Sequence, residues 1–114
     1  MVQARETYLN SKYRSNPSMR IRINYFGHFR IKFHKRYENI HLSKNANLQD
    51  LLILLIERYG ETFKNYVFNP SDPGLKDDVL LNINNIPSSQ LKGLKTKLNN
   101  QDEIVFMPLF TGGG

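Results

Sequence analysis

One segment, Asn47 to Gly60, limits what this chain can become. Asn47 is a good N-cap, and Asp50 falls at N3, where the positive end of a helix favours a carboxylate. Leu48, Leu51, Leu52, Leu55, Ile56 and Tyr59 recur at helical spacing and make one broad apolar face. Gly60 suits the C′ position, where a left-handed residue closes a helix. No other helical pattern of this length exists to cover that face, so it must pack on a sheet.

The remaining patterns supply the strands. Met19, Ile21, Ile23 and Tyr25 alternate with Arg20, Arg22 and Asn24, which reads as a half-buried strand. Gly27-His28 can turn the chain, and Phe29, Ile31 and Phe33 alternate again, predicting a tight hairpin. Tyr37–Leu42 is a further strand candidate. Phe63, Tyr66, Val67 and Phe68 suit a short helical turn under the sheet. Residues 69–74 are loop, rich in Pro, Asp, Asn and Gly. Val79–Ile83 is a strand followed by an Asn84-Asn85 turn. Leu91, Leu94 and Leu98 are spaced apolar residues in a Lys- and Asn-rich stretch. Ile104–Met107 is a last strand, stopped by Pro108. After a long crossover it can lie beside the first. The expectation is an α+β domain with a mixed four- to five-stranded sheet on one main helix.

With 114 residues there is one domain at most, spanning 19–108. Residues 1–18 read as a polar, flexible N-terminal extension and 109–114 as a flexible tail. No cysteine is present, which excludes disulfides, thiolate metal sites and a cysteine nucleophile. The longest apolar run, Leu51 to Ile56, is too short to span a bilayer, and no signal-peptide pattern opens the chain. A cytoplasmic protein with no membrane role is the expectation. Residues 1–44 carry ten of the 16 Lys and Arg but two of the ten Asp and Glu. Such asymmetry reads as a solvated basic face or as a surface for an acidic partner.

The chain closes on Pro108-Leu109-Phe110-Thr111-Gly112-Gly113-Gly114. A slim glycine end with a free carboxylate can thread a narrow channel and be activated there. Alone, it is equally an unstructured terminus. The order of elements decides between these. It resembles the β-grasp, or ubiquitin-like, fold, and more narrowly the MoaD/ThiS sulfur carriers and the small archaeal modifier proteins. The likeness is carried by Ile23-Asn24-Tyr25-Phe26-Gly27-His28-Phe29-Arg30, by the helix from Asn47 to Gly60, and by Leu94–Leu98, Asp102-Glu103-Ile104, Pro108 and the glycines. It covers about residues 19–114. In that family the segment matching Gly27 to Arg36 is usually a connection. Here it is more strand-like, and the first hairpin is expected to be longer. The third glycine and residues 1–18 are additions to the family pattern.

The resemblance implies a carrier or modifier, not an enzyme. A ubiquitin-activating-type adenylating enzyme, using ATP and magnesium, would convert the terminal carboxylate to an acyl-adenylate. The chain itself would hold no cofactor and no metal. The acyl group would then become a thiocarboxylate for sulfur delivery, or an isopeptide bond to a lysine. Gly114, or Gly113 after trimming, would carry it, with Gly112 and Gly113 supplying reach. Implied partners are the activating enzyme and, beyond it, a molybdopterin synthase large subunit, a tRNA thiolase or lysine-bearing target proteins. Phe26, Leu91 and Phe106 match the family docking patch, although for Phe26 and Phe106 a core position reads equally well. Phe110, a large apolar residue in the tail, is a further candidate anchor.

Other signals are weaker. His28, His34 and His41 form no metal-ligand pattern. Asp77-Asp78 and Asp102-Glu103 read as solvated loop charges. A rival reading of another class is a small basic nucleic-acid-binding domain. In it Arg20, Arg22, Arg30, Lys32, Lys35 and Arg36 form a stripe, and Tyr25, Phe29 and Phe33 stack on bases.

Overall fold

The computed structural model describes residues 18–68, 75, 76 and 78–108. The other residues, including the N-terminal extension and the tail with Phe110 and the three glycines, lie outside the described residues. A five-stranded sheet has the order β2-β1-β5-β3-β4. Its strands are β1 (Ser18–Tyr25), β2 (Tyr37–Ser43), β3 (Val79–Ile83), β4 (Ile86–Pro87) and β5 (Glu103–Pro108). β1 begins at Ser18, the last residue assigned to the extension, which pairs with Ser43. β5 lies beside β1 and parallel to it, with Tyr25 opposite Phe106. This is the crossover the order of elements predicted. On its other flank β5 runs antiparallel to β3, with Val79 opposite Pro108.

The helices follow from their sequences, with one correction. α2 (Leu48–Tyr59) has the expected cap: Asn47 and Asp50 form a reciprocal box, each side chain accepting from the other's backbone N–H at 2.9 Å. Leu48, Leu51, Leu52 and Leu55 are buried against the sheet's inner face. Gly60 has φ 81° and ψ −159°, outside the left-handed helical region. It bends the chain straight into α3 (Glu61–Val67), which buries Phe63 and Val67.

The correction concerns Phe29 to Phe33. The expected second hairpin strand is a short helix, α1 (His28–Phe33). Phe29 and Phe33 stand four residues apart, which serves a helix face as well as a strand face. A strand would have turned Ile31 inward with them. Instead Phe29 and Phe33 are buried and Ile31 is 75% exposed.

Inside, the rings of Phe29, Phe33, Phe63, Phe106 and Tyr25 meet at 5.2–6.1 Å, Phe29 and Phe33 stacked and the other pairs edge to face or tilted. No described helix is long and apolar enough to cross a membrane.

Candidate functional site

Parity along the strands decides which expected site residues reach the surface. On β1, Met19, Ile21, Ile23 and Tyr25 point inward, so Arg20, Arg22, Asn24 and then Phe26 face out. On β5, Ile104 and Phe106 point inward, leaving Val105 and Met107 outward. On β3, Leu80 and Asn82 face out. Phe26 is therefore on the open face, 41% exposed. Phe106 has no exposed surface and cannot belong to a docking patch; it is a core residue beside Tyr25 and Leu81. Its place in that row of the outer face is taken by Met107, opposite Leu80. Phe26, Met107 and Leu80 make an apolar row across three strands at the end of the sheet where the chain runs on to Leu109. Met107 was legible in principle, because Glu103 and Ile104 already set the parity of β5.

Leu91 is exposed and lies outside the paired strands, after β4 and the short 3-10 turn Ser88–Gln90 that packs on β3. It borders an open groove with Lys92, Lys95 and Lys97. Phe26 and Leu91 thus occupy different places along the sheet.

The end of β1 is held firmly. Phe26 N–H donates to the Phe106 carbonyl at 2.9 Å. Arg30 Nε donates to the Tyr25 carbonyl at 3.1 Å, and its guanidinium lies over the Phe26 ring at 5.2 Å. Behind the sheet, Glu38 on β2 accepts from Tyr25 Oη at 2.6 Å and from Tyr59 Oη at 2.7 Å. Lys35 Nζ donates to Tyr59 Oη at 2.7 Å. Lys35 and Arg58 also lie 3.6 and 3.7 Å from the Glu38 carboxylate. Burial, then the Glu38 carboxylate, pushes the Tyr25 phenol far up. Burial raises Tyr59 as well, against the Lys35 hydrogen bond. The bond to Tyr59 raises Lys35.

These upward shifts have one sign in the stability. Above the ordinary phenol value of 10.0 the unfolded chain gives up protons that the folded chain keeps. Stability is complete below that pH and falls as pH rises beyond it. Thermal melts from neutral to strongly alkaline pH should show this fall, and Tyr25→Phe should flatten it. A profile unchanged in Tyr25→Phe would refute the assignment. Replacing Glu38 by Ala should cost about 2–3 kcal/mol, because the Tyr25 hydroxyl would be buried without a partner.

Two weaker expectations also meet the structure. The nucleic-acid reading needed Tyr25, Phe29 and Phe33 as stacking platforms, and all three are buried. Arg22 lies over the Tyr37 ring at 4.1 Å and Lys32 over the Tyr66 ring at 5.4 Å. Asp102, expected to be solvated, is buried and accepts from Asn84 Nδ2 and the Asn99 N–H, each at 2.8 Å. It pins the turn into β5. Among the described residues, no group of three His, Cys, Asp or Glu could hold a metal.

The strand order, with β5 crossing over to lie parallel to β1, is that of a ubiquitin-like fold. The ThiS family model matches residues 23–113. The chain belongs to the ThiS family of ubiquitin-like sulfur carriers, with their β-grasp fold. A search of curated protein sequences finds no match.

Solved structures agree on the fold. SAMP1 from Haloferax volcanii superposes with a TM-score of 0.69 at 18% identity, over 82% of this chain and 99% of that one. A putative molybdopterin converting factor subunit 1 from Pyrococcus furiosus gives 0.64 at 24% identity, over 81% and 99%. CysO, in the Amycolatopsis orientalis BexX/CysO complex structure, gives 0.63 at 14% identity, over 82% and 99%.

Proposed function

We propose that this chain is a sulfur carrier or protein modifier that reacts through its terminal glycines. The observation that carries the proposal is the course of β5. The strand is paired with β1 up to Phe106 and with β3 up to Pro108, and the family match continues from there through Gly112 and Gly113. The end that a partner must grasp is thus tied to the middle of a rigid sheet. The neighbouring row of Phe26, Met107 and Leu80 gives that partner an apolar surface, with the Arg30 guanidinium at its rim.

The chemistry follows from the leaving group. A carboxylate oxygen attacks the α-phosphorus of ATP on a ubiquitin-activating-type enzyme, and pyrophosphate departs. The acyl-adenylate then has AMP as a good leaving group. Attack by a partner persulfide forms an acyl disulfide, which a partner thiol reduces to the thiocarboxylate. Attack by a partner thiolate forms a thioester that a lysine amine can open. ATP and magnesium belong to the activating enzyme. Likeness to a molybdopterin converting factor subunit and to a small archaeal modifier supports both branches. A CysO structure determined together with BexX supports an enzyme partner.

The test is direct. The chain, an activating enzyme, ATP and a persulfide donor are incubated and weighed by intact mass spectrometry. One terminal oxygen should be exchanged for sulfur. A chain that stays a carboxylate while pyrophosphate is not released, with every activating enzyme from the same cell, would sink the proposal. Within it, recovery of a molybdopterin synthase large subunit on the carrier favours sulfur delivery, and ladders of lysine-linked proteins favour conjugation.

A further inference from the structure

Where the chain leaves β1, Gly27 meets the ring of Pro108. A Cβ on Gly27 would lie 2.8 Å from Pro108 Cγ and 2.9 Å from Cδ, a separation real Cβ atoms do not adopt. Gly27 also has φ 60° and ψ −138°, a backbone conformation that side chains strongly disfavour. These are separate demands. The torsion serves the local turn into α1, and the bare Cα serves a residue on another strand.

We propose that Gly27 is a positioning residue: its bare Cα is a seat for Pro108 that sets the direction in which residues 109–114 leave the sheet. This rests on the reading of the terminal glycines as the reactive end.

The seat is fixed from three sides. The Gly27 carbonyl accepts from Arg30 N–H at 3.1 Å, which ties it to the first turn of α1. Phe26 N–H holds the strand just before it to Phe106. Val79 stands opposite Pro108 on the far flank. Proline has no N–H to give to a ladder, so packing of its ring takes over the role of a hydrogen bond. The geometry has leverage. The stretch from Pro108 to the last carboxylate reaches about 20 Å when extended, so a 30° change in departure moves its end by about 10 Å. A carrier whose end must enter a partner's channel gains from a fixed departure, because less freedom is lost on threading.

The test separates docking from delivery. Gly27→Ala should lower kcat for pyrophosphate release about tenfold while KM stays within about twofold. Pro108→Ala removes the ring without straining the backbone. It should lower kcat in the same direction with an unchanged melting temperature, and it decides the matter if Gly27→Ala does not fold. Unchanged kcat in Pro108→Ala, or a loss confined to KM, overturns the seat.

If the wild-type chain is not activated at all, it is the reading of the glycines that fails. The seat is then judged by a nitroxide at Gly112→Cys, the chain having no cysteine of its own. Line broadening should fall on amides of one flank of the sheet end, and Pro108→Ala should redistribute it. The same pattern in both overturns the seat.

Discussion

Phe106→Ala should cost about 3–5 kcal/mol, the range for truncating a fully buried phenylalanine. Its ring centroid lies 5.4 Å from that of Tyr25, 6.1 Å from Phe29 and 5.9 Å from Phe63, so the void would open among rings from β1, α1 and α3. Those rings are held by the backbone of different elements and cannot all close in. A loss of that size is a large part of the stability of a small domain. Phe26→Ala, one residue beyond Tyr25, should behave in the opposite way. The exposed ring contributes little to folding, so urea denaturation should shift by about 0.5 kcal/mol or less. Affinity for the activating enzyme should fall about 10- to 100-fold, as expected for an aromatic anchor near the centre of an interface. Urea titrations of both variants, with binding calorimetry of Phe26→Ala, check the pair. A stable Phe106→Ala chain that binds poorly would reverse the assignment of inner and outer faces.

That contrast also shows where sequence patterns stop. β1, α2 and β3 were legible because each repeats its period several times and has clear ends: the arginine-alternating run to Tyr25, the Asn47 box, the Asn84-Asn85 turn. α1 was not, because Phe29 and Phe33, four residues apart, fit both periods when the segment is six residues long. Only the core, by taking Phe29 and Phe33 and leaving Ile31 outside, separates the two. Phe106 was ambiguous for a related reason. Ile104-Val105-Phe106-Met107 is apolar at every position, as a central strand covered on one face by helices and on the other by a partner would be. Its polar neighbour Glu103 carried the only phase information. Asp102 was misread because a buried turn carboxylate and a solvated one look alike until their donors, here Asn84 and Asn99, are known. The contact of Gly27 with Pro108 joins residues far apart in the chain, and no local pattern announces it.

Deleting Gly113 and Gly114 should abolish activation, with a loss of at least about a thousandfold, while the melting temperature stays unchanged. The fold should not respond, because β5 has finished pairing at Pro108, before the deletion begins. The chemistry should respond fully, since two residues shorten the reach by about 7 Å. In-line attack on the α-phosphorus tolerates errors of about 1 Å, so the shortened carboxylate has no productive position. Removing Gly114 alone divides the remaining cases. If Gly114 is the reactive end, this chain loses activation nearly as completely. If the chain is trimmed first, it is activated at once, and Gly113 is the acyl carrier. Gly113→Val in the full chain adds a check on slimness, since a branched side chain blocks a channel that the reach alone would allow. Pyrophosphate release and intact mass report on all three variants. Full activation of the double deletion would show that the end of β5, with its apolar row and its proline seat, serves something other than the glycines.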